Sequence, residues 1–204
     1  MKKRLIAFSM LLCMVLSLIG CGKTAFVASE YVKACLDASF HEEYEEYAEF
    51  IGSTVEDVKA DIDKENQNAL DEMVASFNTE VPEEQKQEFM ALLMELQHLT
   101  KYEVLDAQET EDGYFVPVTI YPVNAYEKFL TGIEDKFLEA ANNGTLTEET
   151  IFPIMLEYFA ECVHNAEYKD TIETNVNVIQ DAEGIWYIPE DTMHTLEEML
   201  IPGI

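Results

Sequence analysis

The residue with the most specific chemistry in this chain is Cys21. It follows Leu18-Ile19-Gly20, a run that looks like the bacterial lipobox: an aliphatic residue, a tolerated residue, a small residue, then cysteine. The small Gly20 leaves the preceding bond open to a peptidase, and the Cys21 thiol is the nucleophile that takes up a diacylglyceryl group. The upstream pattern agrees. Met1-Lys2-Lys3-Arg4 places three positive charges at the start, and an apolar run from Leu5 to Ile19 follows. This is the secretory signal pattern, and at about 15 residues the run is shorter than the roughly 20 of an ordinary spanning helix. An uncleaved anchor helix with a chance cysteine is the plainer alternative, but it does not explain why charge, length, small residue and cysteine all agree. Two acyl chains hold firmly where one binds only marginally, since each buried methylene contributes about 0.8 kcal/mol.

Other chemistry is harder to find. His41, His98, His164 and His194 are 30 or more residues apart, and there is no His-Glu-x-x-His, nucleophile elbow, phosphate loop or dinucleotide fingerprint. No catalytic residue, metal ligand or cofactor is assigned. Asp61-Ile-Asp63-Lys-Glu65, with Glu72 twelfth in the window, imitates a calcium loop, but Asn66 stands where the loop needs glycine and Asn68 where it favours an aliphatic residue. The window also keeps a helical period, and a helix cannot wrap an ion. Asn143-Gly144-Thr145 fits a glycosylation sequon, although a helix-ending turn accounts for it better. Five strand aromatics, Tyr114, Phe115, Tyr121, Trp186 and Tyr187, are candidates to line a pocket; a packed sheet–helix core is the plainer reading. Cys35 and Cys162 form an even pair in an exported chain, so a disulfide is one reading. Both fall on apolar helix faces, where a buried thiol is equally at home.

Removing residues 1–20 takes away three basic residues and no acid, so the formal charge falls from −29 to −32 over 184 residues. Such a charge argues against nucleic acid, which needs a basic surface, and against electrostatic docking on anionic lipid. It suits a solvated acidic surface, or a field that gathers cations and basic peptides. The acids are interleaved with Phe, Tyr, Leu and Ile, which marks a folding chain.

The elements that must position these residues follow from periodicity. Helices are expected from Phe26 to about His41, over 42–51 with Gly52 ending it, from a Ser53 or Thr54 cap to Phe77, and from Pro82 to Leu99. Tyr102 to Gln108 and Tyr114 to Val123 read as a hairpin turning at Glu111-Asp112-Gly113, with Pro117 pointing to an edge strand or a bulge. Two helices, 125–141 and 147–166, precede strands at 172–178 and 185–188, and a helix over about 191–200 closes the chain. The expected fold is α+β: a curved antiparallel sheet of about four strands packed against several helices, cone-like, with a two-helix insertion between the hairpins. The expected organisation is a lipoprotein signal peptide over 1–20, a lipidated cysteine and short tether over 21–24, and one extracytoplasmic domain over 25–204.

Tyr31-Val32-Lys33-Ala34-Cys35-Leu36-Asp37-Ala38, the acid-and-tyrosine stretch Glu42 to Phe50, and Val116-Pro117-Val118-Thr119-Ile120-Tyr121-Pro122 together carry a resemblance. On them the chain resembles a family of uncharacterised lipoproteins from Gram-positive bacteria. The resemblance implies a cone-shaped domain similar to the nuclear transport factor 2-like fold, lipid-anchored on the outer face of the cell membrane. That fold hosts enzymes, ligand pockets and plain cores, so it leaves function open. Three readings compete: a non-catalytic domain binding a small ligand, peptide or wall component; a small hydrolase or isomerase using the cone; and a partner of another envelope protein. An enzyme would need a buried acid of raised pKa, and the acids placed on strands fall on the polar alternation or in turns.

Overall fold

The computed structural model describes residues 26–75 and 80–204, so the signal, Cys21, the tether and Phe77 lie outside the described residues. Seven helices and five strands follow one another as α1 (Ala28–His41), α2 (Glu45–Ile51), α3 (Val55–Ala75), α4 (Glu83–His98), β1 (Lys101–Val104), β2 (Gln108–Glu109), β3 (Gly113–Tyr121), α5 (Ala125–Asn142), α6 (Glu148–His164), β4 (Ile172–Gln180), β5 (Trp186–Tyr187) and α7 (Glu190–Leu200). The local signals act as their chemistry predicts. Thr54 Oγ1 accepts the Asp57 N–H at 3.1 Å and donates to its carboxylate at 2.8 Å, which opens α3. Gly52 ends α2 at φ 66°, a conformation that glycine adopts without a Cβ penalty. The calcium-like window lies inside α3.

The strands form one antiparallel sheet in the order β1-β3-β4-β5, with β2 also on β3, curled into a half-barrel. The fold is α+β, with α5 and α6 inserted between the two hairpins. Between Val104↔Val118 and Gln108↔Phe115 the register shifts by one residue, so residues 105–107 form a bulge that divides one bent edge strand into β1 and β2. This settles the place of Pro117. It sits in the central strand β3, not at an edge. The Leu105 N–H donates to its carbonyl at 2.9 Å, so Pro117 turns its donor-free nitrogen toward the bulge. The bulge is what admits proline to the middle of the sheet.

Alternation decides the two faces of the sheet. Val116, Val118, Ile120, Val176 and Val178 point inward and are buried. Phe115, Glu173, Asn175 and Asn177 point outward and are exposed. Helices α1 and α7 pack on the sheet, and α4 joins α6. The α5–α6 pair adds an aromatic core of its own, where Phe159 meets Phe89 at 5.2 Å and Phe129 at 5.3 Å between ring centres. The interior that a cone would leave open is therefore packed with side chains.

Gly113 opens β3 where the hairpin turns. A Cβ there would stand 2.1 Å from the Val178 carbonyl oxygen, a backbone atom fixed by the β3–β4 ladder. Gly113→Ala is therefore expected to lower stability by about 2 kcal/mol, the scale of a forced backbone conformation, measured by urea unfolding. An unchanged midpoint would show that the hairpin yields.

Candidate functional site

The five aromatic candidates do not form one site. Tyr114 and Trp186 turn inward and join Phe26, Tyr31 and Phe50. Phe26 stacks on Trp186 with centroids 4.9 Å apart and planes at 8°, and Tyr114 lies 5.2 Å from the same indole. This cluster fastens the start of the domain to the sheet and is filled by the chain's own Phe26. Phe115, Tyr121 and Tyr187 lie on the opposite, open face, as the register requires: Phe115 faces Asn177, and Tyr187 faces Ile179. Tyr121 is held there by its neighbours. Its hydroxyl donates to Glu103 at 2.8 Å, which pushes the hydroxyl's pKa up, and the Lys101 ammonium lies 4.3 Å above its ring. The five candidates therefore fall on two faces, because successive strand residues point to opposite faces.

The open face is uneven in charge. Lys101, Glu103 and Glu173 occupy the end around Tyr121. At the other end, Phe115, Pro117, Asn175, Asn177 and Tyr187 carry no charge, and Phe115 is 46% exposed. Leu105, at the bulge, is 49% exposed. Among the described residues, this sheet face leaves Phe115, Asn175 and Asn177 exposed.

Two buried acids stand on helices. Asp37, on α1, accepts the Tyr102 hydroxyl at 2.7 Å and pairs with Lys33 one turn earlier. His41 stacks on the Tyr102 ring at 5.3 Å. Its Nε2 lies 3.1 Å from the Thr100 carbonyl and 3.3 Å from the Thr100 hydroxyl, and its Nδ1 lies 3.3 Å from the Tyr102 hydroxyl, whose hydrogen goes to the nearer Asp37. Burial first, then the bond to Asp37, pushes the Tyr102 pKa well above the ordinary tyrosine range. The network ties α1 to β1.

Glu197, on α7, is 4% exposed and its Oε1 has no partner. His194 Nδ1 stands 3.8 Å from the other oxygen, beyond hydrogen-bonding distance. Burial therefore governs, and it pushes the carboxyl up from 4.5 to about 8. Sequence reasoning that looked for acids on strands missed both groups.

Cys35 and Cys162 are buried thiols with no disulfide between them, which corrects the reading that bonds them. Burial raises the Cys162 pKa. Among the described residues, two surface grooves stand out. One, about 310 Å³, runs between α5 and α6 beside Lys136, Glu157, Tyr158 and Glu161. The other, about 450 Å³, is bordered by Pro122, Tyr168, Ile172 and Pro202. Neither is lined by Asp37, Glu197 or any of the five aromatics.

No family model matches the chain, and no curated relative does. A solved structure does: a "putative lipoprotein (ycdA)" from Bacillus subtilis subsp. subtilis str. 168, with a TM-score of 0.56 and 13% identity. The match covers 85% of this chain and 55% of that one, so this chain spans little more than half of that protein's length. At this identity the likeness is one of architecture, and the chain shares the curled α+β fold of that Bacillus protein.

Proposed function

We propose that the chain is an extracytoplasmic lipoprotein, anchored through Cys21, whose domain binds another component of the cell envelope without catalysis. The observation that carries the binding reading is the contrast between the two faces of one sheet. The inner face is closed, with Val116, Ile120, Val176 and Val178 fully buried, while Phe115 on the outer face is 46% exposed. A filled interior leaves the outer surface as the place for a ligand, peptide or envelope protein. The anchor reading is supported by the residues around Cys21 and by the name of the Bacillus protein of like fold. No helix among the described residues is long and apolar enough to cross a membrane, which fits attachment by lipid. The formal charge of −32 after cleavage leaves the acyl chains as the only hold on the bilayer and disfavours nucleic acid. We also read the domain as a variant of the nuclear transport factor 2-like fold, since α1 lies across the inner face of a curled sheet.

A second reading, a small hydrolase or isomerase, draws support from Glu197, a buried carboxyl that keeps its proton near neutrality. Neither groove reaches that carboxyl, which favours the binding reading.

The test of the anchor is metabolic labelling with a palmitate analogue. The wild-type chain is expected to take the label and fractionate with membranes. Cys21→Ala is expected to lose both. Label that persists in the variant overturns the anchor.

A further inference from the structure

We propose that the uncharged end of the open sheet face is a platform for a neutral polysaccharide of the envelope. The inference rests on the binding reading above and names its ligand class. The register sets the platform's composition. Phe115 lies beside Gln108 on one side and Asn177 on the other, Pro117 lies beside Asn175, and Tyr187 follows on β5. Flat apolar rings and amides thus share four strands, with Ile179 beside Tyr187. A sugar ring presents the same combination, with an apolar face of C–H groups and a rim of hydroxyls. The face stacks on Phe115 or Tyr187. The hydroxyls need partners that both donate and accept, which an Asn or Gln side chain does.

Two further observations point the same way. Asn is disfavoured within strands, yet Asn175 and Asn177 both occupy outward positions of β4. No hydrogen bond within the described residues engages either side chain. Charge is the second. In a chain of formal charge −29 the outward residues of β3 and β4 at this end, Phe115, Pro117, Asn175 and Asn177, carry none, so charge is not what they recognise.

The other occupants fit less well. A second copy would bring another net −29 against the first. Anionic lipid is repelled by the same field. A protein partner is met by an apolar core at the centre of the interface, and here Gln108 and Asn177 flank Phe115 on either side. From strand spacing and rise, Phe115 and Tyr187 stand about 12 Å apart, which lets two rings of one polymer engage together.

The experiment is calorimetric titration of the purified full-length chain in detergent with chitohexaose, cellohexaose and maltoheptaose. Saturable binding of at least one is expected. Phe115→Ala, and Asn175→Ala combined with Asn177→Ala, should each weaken it at least tenfold with an unchanged thermal midpoint. Raising salt from about 50 to about 500 mM should leave the affinity unaltered, because no charges meet. Failure of all three sugars to bind, binding indifferent to Phe115→Ala, or binding that weakens with salt would overturn the proposal. Photocrosslinking in cells through Phe115→benzoylphenylalanine separates the two levels. A discrete protein adduct without sugar binding overturns the glycan and leaves the open face as the binding surface. Neither adduct nor sugar binding overturns both.

Discussion

Replacing Glu197 by glutamine is expected to stabilise the protein increasingly as the pH rises from about 4.5 to about 8. The folded chain holds this carboxyl at about 8 because burial penalises the anion, against 4.5 in the ordinary state. Between those values the unfolded chain has released the proton and the folded chain retains it. The folded state thus binds more protons, and stability falls as pH rises across the window. Below about 4.5 both states are protonated and the penalty vanishes; above about 8 both are ionised and it is constant. At 1.36 kcal/mol for each pKa unit, the full penalty is on the order of 5 kcal/mol. The glutamine side chain would keep the shape and cannot ionise. Its amide also needs partners, which adds an offset at every pH, so the slope carries the test. Urea unfolding of both proteins at several pH values should show the difference growing from near that offset at about pH 4 to several kcal/mol at about pH 8.5. A difference flat across pH would mean that the carboxyl is solvated or paired in solution.

Much of the fold was legible because its signals are local. Thr54, Gly52, Pro82 and the Glu111-Asp112-Gly113 turn each act within a few residues, so their caps and turns can be read directly. The bulge at 105–107 was not legible in place. Pro117 announces that a donor is missing, but only the pairing shows which neighbour absorbs the gap. The site was less legible. Tyr114 and Phe115 are adjacent, as are Trp186 and Tyr187, and a period of two sends each pair apart. Glu197 was within reach. With Met193, Leu196 and Leu200 it completes a stripe at helical spacing, and all four are buried. Glu198, one residue on, is left outside. What no local signal could show is that the inner face of the sheet is covered, which depends on α1 and α7 packing on strands distant from them in sequence.

Asp37→Ala should lower stability by about 2 to 3 kcal/mol, and a double-mutant cycle with Tyr102→Phe should reveal strong coupling. Asp37 is 6% exposed. Its removal takes the carboxylate acceptor from a hydroxyl 2.7 Å away and leaves a cavity beside the Tyr102 ring. Loss of one member of a buried charged pair typically costs about 3 to 5 kcal/mol. The cost here is smaller, because the Lys33 side chain is 55% exposed and can return to water. The freed Tyr102 hydroxyl also keeps a polar neighbour in His41 Nδ1 at 3.3 Å. Tyr102→Phe alone leaves Asp37 buried with Lys33 as its remaining partner and should cost about 1.5 kcal/mol, the scale of a hydrogen bond to a charged group. Because the two changes delete the same bond, the double variant should lose less than the two losses combined, by about 1 kcal/mol or more. Chemical unfolding of the four proteins gives the coupling. Additive losses would show that the carboxylate and the hydroxyl act independently, and α1 would then be held on the sheet by apolar packing and by His41 at Thr100. Strong coupling would identify the charged bond as the tie between helix and strand. It would also explain how an aspartate is retained in a helix of which ten residues are buried.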